Sequence, residues 1–255
     1  MKKEYKGYLI DLDGTIYRGT EEIKEAAGFI EGLRSRNIPY LFVTNNASRT
    51  PAQVAQVLCD FGIETEADQV FTSAMATATF IAERQSEASV YVIGEEGLLN
   101  AIQEKGFTLA DENPDFVAMG IDRKINYEKL VKACLAVRNG ATFVATNSDA
   151  ALVTERGLLP GNGSIASVIS VSTGIQPIFI GKPESIIVEQ ALKVLGVDKK
   201  DTIMVGDNYD TDILAGINAG IDTLLVHTGV TTKELLKNYQ EQPTHVIDTL
   251  ADWKF

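Results

Sequence analysis

Short apolar runs alternate with segments of helical periodicity from one end of the chain to the other, and this alternation restricts the fold. Runs of strand length lie at residues 7–10, 40–43, 90–93, 115–119, 142–145, 178–180, 202–205 and 223–226. Helical spacing predicts helices over residues 21–36, 96–105, 127–138 and 210–219. Strands that alternate with helices form right-handed βαβ units, whose parallel sheets are covered on both faces. The chain is therefore predicted to be an α/β protein, and its many strands favour two sheets, with one domain inserted into the other.

Capping residues predict the start of two further helices. Thr50 is followed by Pro51, a residue whose fixed φ angle and missing N–H suit the first helical position, so Thr50 is expected to cap a helix. Thr231 is followed three residues later by Glu234, the spacing at which two side chains cap each other's backbone N–H groups. The last clear helix is therefore predicted to begin after Thr231.

The acidic balance of the 255-residue chain argues against several classes of partner. Its formal net charge is -12, so its field repels nucleic acid and anionic lipid surfaces. No apolar run approaches the roughly 20 residues of a membrane span, and the N-terminus has no apolar signal-peptide region. We expect a cytoplasmic protein that binds neither nucleic acid nor membranes. Any phosphate site in it needs a local positive charge from a metal, a lysine or a helix N-terminus.

Two carboxylates follow the first apolar run. Asp11 and Asp13 are two positions apart, so both side chains can point to one side of the strand end. Paired carboxylates are costly unless a cation joins them, and Mg²⁺ is a cation that prefers oxygen ligands. Gly14 permits the sharp exit that exposes both groups. A turn that merely closes the strand explains these residues about as well.

Two other clusters carry groups that can hold phosphate oxygens. Thr44, Asn45 and Asn46 follow the second run, although hydroxyl and amide groups at this place also cap helices. Lys182 follows a later run and precedes Pro183, which fits the first turn of a helix. Lys182 would then lie at a helix N-terminus, where phosphate already binds well. A lysine in a solvated loop is the alternative.

Acidic residues cluster after the run at 202–205. Asp207 is expected to face the sheet edge and to complete the metal site, and Asp212 to orient a metal-bound water or Lys182. Asp210 is expected to stabilise the first turn of the following helix. Acidic capping of that helix is the alternative for all three. Ligands of open α/β sheets bind beyond the carboxyl ends of the strands, and four clusters that each follow an apolar run are hard to explain as capping.

These residues resemble the signature of the haloacid dehalogenase superfamily of phosphatases, in four motifs and in order. The motifs are Asp-x-Asp-Gly-Thr at residues 11–15, Thr44, Lys182 and Gly-Asp-x-x-x-Thr-Asp at residues 206–212. Within the superfamily, the chain is similar to the NagD-like, or p-nitrophenyl-phosphatase-like, group. The segments that carry this finer resemblance are 11–17, 43–46, 145–149, 160–163 and 181–183. The resemblance covers essentially the whole chain.

The resemblance implies a doubly wound, Rossmann-like core of parallel strands with an inserted α/β cap domain. Residues 1–80 and 178–255 would form the core, and residues 81–177 would form a cap that closes over the site and excludes water. The implied partner is a small phosphorylated metabolite, such as a sugar phosphate, an acid-sugar phosphate, a nucleotide or p-nitrophenyl phosphate. An exposed cap sheet would support a homodimer.

The resemblance also assigns the catalytic roles. Asp11 would attack phosphorus and form a phospho-aspartate, and Asp13 would protonate the leaving oxygen and later deprotonate water. Mg²⁺, which Mn²⁺ can replace, would be held by the side chains of Asp11 and Asp207 and by the main-chain carbonyl of Asp13.

Three further sets of residues take supporting roles by the same resemblance. The phosphate oxygens would be bound by Thr44, Asn45, Asn46 and Lys182. The nucleophile and the metal would be supported by Gly14, Asn208 and Asp212. Asn147 and Asp149 of the cap would recognise the leaving group, although a capping turn explains the presence of these two residues equally well.

Three other functions fit parts of the sequence. A phosphomutase or another reaction of the same fold stays open, although the leaving-group acid Asp13 favours phosphate esters over carbon–halogen bonds. A dinucleotide-binding oxidoreductase is suggested by G-x-G-x-x-A at residues 161–166, but residues 157–160 are a poor ending for the strand that this motif requires. A non-catalytic binding protein would be expected to lack a motif residue, and all of them are present.

Overall fold

The structure is a computed structural model that describes residues 3–154 and 156–255. Its strands, in chain order, are β1 Gly7–Ile10, β2 Tyr17–Arg18, β3 Glu21–Glu22, β4 Tyr40–Thr44, β5 Val70–Thr72, β6 Ser89–Ile93, β7 Thr108–Leu109, β8 Phe116–Met119, β9 Thr142–Ala145, β10 Ala151–Thr154, β11 Gly157–Pro160, β12 Ile178–Phe179, β13 Thr202–Gly206, β14 Asp222–Val226 and β15 His245–Ile247. Its α-helices are α1 Lys24–Arg34, α2 Pro51–Asp60, α3 Ser73–Arg84, α4 Glu96–Glu104, α5 Tyr127–Arg138, α6 Asn162–Thr173, α7 Ser185–Leu195, α8 Leu214–Ala219 and α9 Lys233–Leu236. Within these described ranges, no helix combines the length and the apolar character needed to cross a membrane.

Two larger sheets confirm the predicted α/β class. Among the described residues, a six-stranded sheet has the order β15-β14-β13-β1-β4-β5, and a five-stranded sheet has the order β12-β9-β8-β6-β7. In the first sheet β1 pairs in parallel with both β13 and β4. The chain runs outward from β1 through β4 and β5 on one side, and outward from β13 on the other, so the strand order reverses beside β1. Such a reversal is where open α/β sheets bind ligands, beyond the carboxyl ends of the strands.

The chain divides into two compact units. The first contains the residues up to Thr44, Val54–Phe71 and Lys182–Phe255, and the second contains Asn45–Gln53 and Thr72–Gly181. The six-stranded sheet lies mainly in the first unit and the five-stranded sheet in the second. The domain ranges derived from the sequence, 1–80 with 178–255 and 81–177, stay a prediction.

The core of the first unit explains why its central strands read as continuous apolar runs. All four residues of β1 and all five of β4 and of β13 are buried, as expected for parallel strands that are covered on both faces. Helix α1 buries Ala26, Phe29, Ile30 and Leu33, which recur at helical spacing on one face. This packing holds the ends of β1 and β13 side by side, and the residues that follow those two strands emerge next to each other.

The second unit has its own core. Its buried residues come from strands β6, β8 and β9 and from helices α5 and α6. The paired strands β10 and β11 form a separate antiparallel hairpin, with Leu152 opposite Leu159.

The helix predicted over residues 21–36 is wrong at its start. Glu21–Glu22 forms β3, which pairs antiparallel with Tyr17–Arg18, and the helix begins only at Lys24. The hairpin supplies backbone partners that the local apolar spacing does not reveal. The helix predicted to follow Thr50 is confirmed, since α2 begins at Pro51.

The cap of the last helix is also corrected. Helix α9 is capped by Thr232, whose hydroxyl oxygen accepts a hydrogen bond from the N–H of Leu235 at 3.2 Å. The hydroxyl oxygen of Thr231 instead accepts from the N–H of Tyr209 at 2.8 Å. Thr231 is therefore committed to a tertiary contact and cannot act as the predicted cap.

Candidate active site

Asp11 lies directly beyond the carboxyl end of β1. Its N–H donates to the carbonyl of Val205 at 2.9 Å, which continues the pairing of β1 with β13. Its side chain is buried, and its Oδ1 accepts a hydrogen bond from Nζ of Lys182 at 2.5 Å. The hydroxyl of Thr15 lies 3.4 Å from its Oδ2. One oxygen of the Asp11 carboxylate is therefore hydrogen-bonded to the Lys182 ammonium group, and the other lies near the weaker donor, the Thr15 hydroxyl.

Lys182 is buried among carboxylates and is not at a helix N-terminus. Only 2% of its side chain is exposed, and Nζ donates to Asp11 at 2.5 Å, to Asp212 at 2.7 Å and to the carbonyl of Val43 at 3.1 Å. Helix α7 begins at Ser185, two residues after Pro183. The prediction that Pro183 starts the helix and leaves Lys182 at its mouth is wrong, because the two carboxylates and the carbonyl draw the ammonium into the unit.

Asp207 directly follows β13 and is fully buried. Its Oδ2 accepts from the N–H of Val230 at 2.6 Å, and its Oδ1 lies 3.3 Å from the hydroxyl of Thr15. Gly14 has a φ of +92°, and a Cβ there would collide with the Asp207 carboxylate. Glycine is thus required at position 14 both by its backbone conformation and by this close approach.

Asp212 lies in a π-helical turn, Tyr209–Ile213, that leads into α8. The sequence predicted one regular helix from residue 210, so this turn is a correction. The side chain of Asp212 is buried, with Oδ1 on Lys182 at 2.7 Å and Oδ2 on the N–H of Asn208 at 3.1 Å. Single π-helical turns occur often at functional sites, and this one carries Asp212 to the lysine.

The carboxylates of Asp11, Asp207 and Asp212 form one cluster, in which each offers an oxygen atom and these atoms lie within 4.8 Å of one another. Burial raises the pKa of Asp11 well above its usual range, and the charge of Asp212 raises it further. Burial and the charge of Asp212 raise the pKa of Asp207 to about 7. Burial alone would lower the pKa of the Lys182 ammonium, but the charges of Asp11 and Asp212 outweigh that effect and raise it.

Among residues 3–154 and 156–255, the ion pairs of these three buried carboxylates are made with one ammonium group, that of Lys182, so the cluster is short of positive charge. The pKa values of Asp11 and Asp207 are raised for the same reason, because a proton on either group reduces the repulsion between the buried negative charges. A divalent cation would supply the missing charge, and the donors are all oxygen atoms, as hard cations require. The cluster therefore fits a metal site.

Asp13 stands apart from this cluster. Its side chain is exposed, and its backbone forms a bridge with Tyr17. Although Asp13 is exposed, the surrounding protein atoms partly desolvate its carboxyl and raise its pKa, against the lowering effect of a hydrogen bond from the N–H of Gly19. The carboxylate cluster thus contains Asp212 and not Asp13, and the role of the Asp13 carbonyl as a metal ligand stays a prediction.

Three further predicted residues belong to the first unit. Thr44 is the last residue of β4 and is buried. Asn208 accepts the N–H of Asp210 on its Oδ1 at 3.1 Å, so it caps the π-helical turn. Asp210 is exposed and accepts from the hydroxyl of Tyr239 at 2.9 Å.

In the second unit, Asn45, Asn147 and Asp149 contact one another. Asn45 donates to the Asp149 carboxylate at 3.2 Å, and Asn147 donates to the Asn45 carbonyl at 2.9 Å. Asn147 also accepts the N–H of Asp149 at 3.2 Å, and only 6% of it is exposed. Asn46 is exposed and forms a turn with Ser48, whose N–H donates to its Oδ1 at 2.9 Å.

The glycines of the G-x-G-x-x-A segment have a packing role. A Cβ on Gly161 or Gly163 would collide with the main-chain carbonyls of Asp149 and Ser148. The strand before the helix is β11, which belongs to an antiparallel hairpin and not to a parallel βαβ unit. The strand–turn–helix context that a dinucleotide site requires is therefore missing here.

The contacts of two residues of this site were not predicted from the sequence. Thr15 belongs to the first motif, but nothing in the pattern indicated that its hydroxyl would lie between Asp11 and Asp207. The N–H of Val230 is a main-chain group, so no residue type could indicate its contact with Asp207. Only the pairing of β13 with β14 brings these two segments together.

Comparison with known proteins agrees with the geometry. The sequence profile of haloacid dehalogenase-like hydrolases matches residues 8–108, and a HAD-hydrolase-like profile matches residues 179–253. The chain belongs to the haloacid dehalogenase-like hydrolase family. The resemblance to the NagD-like, or p-nitrophenyl-phosphatase-like, group is confirmed as well.

Relatives in this family cover almost the whole chain. The 5'-nucleotidase YutF of Bacillus subtilis is 64% identical over 251 residues, which are 98% of each protein. An acid sugar phosphatase of Staphylococcus saprophyticus is 54% identical over 98% of this chain and 97% of its own. The structure of a mutant thermostable p-nitrophenylphosphatase from Bacillus stearothermophilus has 61% identity, a TM-score of 0.91 and 99% coverage of both chains.

Proposed function

We propose that this chain is a phosphoric monoester hydrolase that acts on small phosphate monoesters with Asp11 as its nucleophile. The observation that carries the proposal is the buried Asp11 carboxylate at the end of β1, paired with Lys182 and adjoining two further carboxylates. The Lys182 ammonium lowers the pKa of Asp11 and so opposes the raising effects of burial and of the neighbouring carboxylates, which favours the ionised, nucleophilic form. The three relatives described above are named as a 5'-nucleotidase, an acid sugar phosphatase and a p-nitrophenylphosphatase. All three names denote cleavage of phosphate monoesters.

The reaction proceeds in two displacements at phosphorus. A carboxylate oxygen of Asp11 attacks in line, the ester oxygen leaves, and Asp13 gives that oxygen a proton, so a phospho-aspartate and an alcohol are formed. Water then attacks the same phosphorus, Asp13 takes back a proton, and Asp11 and inorganic phosphate are released. The raised pKa of Asp13 suits this role, since the carboxyl must begin protonated.

The remaining motif residues bind the phosphate oxygens. Lys182 holds Asp11 in place and offers positive charge, and Asp212 keeps the lysine oriented through its hydrogen bond at 2.7 Å. We assign the other contacts to phosphate to the side chains of Thr44, Asn45 and Asn46. Positioning together with electrostatic stabilisation accounts for most of the catalysis of phosphoryl transfer.

A metal site completes the proposal. The side chains of Asp11 and Asp207 and the carbonyl of Asp13 would hold Mg²⁺, and Mn²⁺ can replace it in an oxygen site. When bound, the metal supplies positive charge that offsets the repulsion between the nucleophile and the phosphate. Its support comes from the charge shortage of the carboxylate cluster.

The test is release of phosphate from p-nitrophenyl phosphate, with Mg²⁺ and with a chelator. We expect release with Mg²⁺ that falls to background when the metal is removed. A panel of sugar phosphates, acid-sugar phosphates and nucleotides then orders the substrates by kcat/KM. If the chelator does not affect phosphate release, the proposed dependence on Mg²⁺ is contradicted. If the protein hydrolyses none of the esters in the panel, the proposed phosphatase activity is contradicted.

Binding of Mg²⁺ is expected to weaken below neutral pH. The pKa of Asp207 is about 7 in the metal-free protein, so this ligand holds a proton at lower pH and the metal must displace it. The apparent affinity should fall by about tenfold or more for each pH unit below that pKa, because the proton on Asp207 competes with the metal and the raised pKa of Asp11 adds to the competition. Calorimetric titration with MgCl₂ at pH values on both sides of neutrality measures this. An affinity that is unchanged on the acidic side contradicts a proton on Asp207.

Other parts of the proposal concern the setting of the enzyme. We assign recognition of the leaving group to Asn147 and Asp149, of which Asp149 is the more exposed. We also propose that residues 1–80 and 178–255 form the catalytic domain and that residues 81–177 form the cap domain. We further propose that the protein is cytoplasmic and forms a homodimer. Sedimentation of the purified chain tests the dimer.

A further inference from the structure

A short loop after β14 encloses the carboxylate of Asp207. We name the segment His227–Thr231 the Asp207 loop. The N–H of Val230 donates to Oδ2 of Asp207 at 2.6 Å, and the N–H of Thr231 donates to its main-chain carbonyl at 3.1 Å. A Cβ on Gly229 would collide with the same carboxylate. The loop thus fixes both the backbone and one carboxylate oxygen of this residue.

The Asp207 loop is fastened from outside at Thr228. The Thr228 hydroxyl donates to the carbonyl of Gly14 at 2.7 Å, and this side chain is buried. The Thr228 carbonyl accepts from both Nε and Nη2 of Arg18, which belongs to the hairpin of β2 and β3. Two N–H groups of one guanidinium thus converge on a single carbonyl oxygen of the loop.

The interior of the loop is fixed by its own hydrogen bonds. Nδ1 of His227 lies 2.8 Å from the carbonyl of Thr231, and since a carbonyl only accepts, the proton is on Nδ1. Thr231 also accepts from Tyr209, which begins the π-helical turn. A shift at Thr228 would therefore be transmitted along the loop to the N–H of Val230.

We propose that Arg18 and Thr228 are positioning residues that orient the Asp207 carboxylate for the metal. The inference rests on the metal site of the proposed function. Groups that hydrogen-bond a metal ligand fix its orientation, and their loss typically lowers metal affinity or activity by about 10- to 100-fold. Here the bonding group is the main-chain N–H of Val230, and its place depends on the two contacts at Thr228. Arg18 and Thr228 act on Asp207 through the loop, since the hydrogen bonds that tie them into it are made to the carbonyl of Thr228 and to the carbonyl of Gly14.

The first arm of the test measures metal binding. Arg18→Gln removes the guanidinium fork, and Thr228→Val removes the hydroxyl at nearly constant volume. Titration of the metal-free proteins with MgCl₂ should give an affinity about tenfold lower for each variant than for the wild type. Arg18→Lys keeps the charge but not the fork, and it should bind Mg²⁺ with intermediate affinity. Arg36→Gln, which alters an exposed arginine of the same unit, should bind as the wild type does.

The second arm separates positioning from a general loss of structure. The urea midpoints of the metal-free variants should stay near the wild-type value, and kcat should recover when Mg²⁺ is saturating. Unchanged affinity in both Arg18→Gln and Thr228→Val overturns the inference, and so does an equal loss in Arg36→Gln. A loss of kcat that persists at saturating Mg²⁺ also overturns it, because Arg18 would then act on the substrate.

The same titration separates the inference from the proposed function. A wild-type protein that binds Mg²⁺ but hydrolyses no phosphate ester contradicts only the function, and the variants still test the positioning. A wild-type protein that binds no Mg²⁺ overturns the metal site and this inference together.

Discussion

Replacing Asp11 with asparagine is expected to lower phosphate release from p-nitrophenyl phosphate by about 10⁴-fold or more. The neutral amide lacks the anionic oxygen that attacks phosphorus, and loss of a nucleophile typically removes nearly all of the chemical rate. The change also removes one of the three clustered carboxylates. We therefore expect weaker Mg²⁺ binding beside the loss of kcat. Initial rates at saturating Mg²⁺ and substrate measure the loss of kcat separately from the weaker binding of Mg²⁺.

The matched control for this variant is Asp60→Asn. Asp60 is an exposed aspartate at the end of α2, with Gln56 as its hydrogen-bond partner. It should leave the rate unchanged. Substantial activity in Asp11→Asn, in protein free of deamidated product by mass spectrometry, would exclude Asp11 as the nucleophile. Trapping of phosphate on Asp11 by rapid quenching of the wild type would support the covalent step directly.

Replacing Lys182 with methionine is expected to be the most destabilising single change in the site. The side chain of Lys182 is 2% exposed, and its ammonium group lies between the carboxylates of Asp11 and Asp212. Removing one partner of a buried ion pair leaves uncompensated charge and typically costs about 3–5 kcal/mol. We expect a fall of that size in the free energy of unfolding, measured by urea denaturation of the metal-free protein. Phosphate release should fall as well, because Asp11 loses its ammonium partner.

Two further variants test whether uncompensated charge causes the loss of stability in Lys182→Met. Lys182→Met combined with Asp212→Asn removes one of the uncompensated carboxylates, so it should recover part of the lost stability. Lys199→Met removes an exposed lysine whose contact with Glu189 is 3.4 Å long, and it should change the stability little. A Lys182→Met protein as stable as the wild type would contradict a structural role for the buried pair.

The alternation of apolar runs and helical segments was sufficient to predict the α/β class and two sheets. It worked because parallel strands that are buried on both faces must be apolar throughout, as β1, β4 and β13 are. Elements without a local signature were missed. Helix α3 is buried on most of its sides, so it has no apolar stripe. Strands β5 and β15 have three residues each and lie at the sheet edges, where the run is too short to recognise.

The sequence predicted which chemical groups the site contains, but it did not predict all of the contacts between them. Asp11 and Asp207 both follow apolar runs, and the sequence alone predicted that they would meet at one sheet edge. The contact of Asp212 with Lys182 is one of the two roles that the sequence predicted for Asp212. The contact of Lys182 with Asp11 was not predicted, because Pro183 suggested that the lysine lies at a helix N-terminus. A long side chain takes its position from charges that are far apart in sequence, which no local pattern records.

The sequence by itself determined the fold class, the family and the chemical groups available for catalysis. Those features depend on periodicity, on residue types and on short spacings, all of which are local. Only the tertiary structure decided which groups touch: Thr15 between two carboxylates, the N–H of Val230 on Asp207, and Arg18 on the carbonyl of Thr228. The last two contacts use main-chain atoms, which every residue carries. Their positions follow from strand order and loop path, so they exist only once the chain has folded.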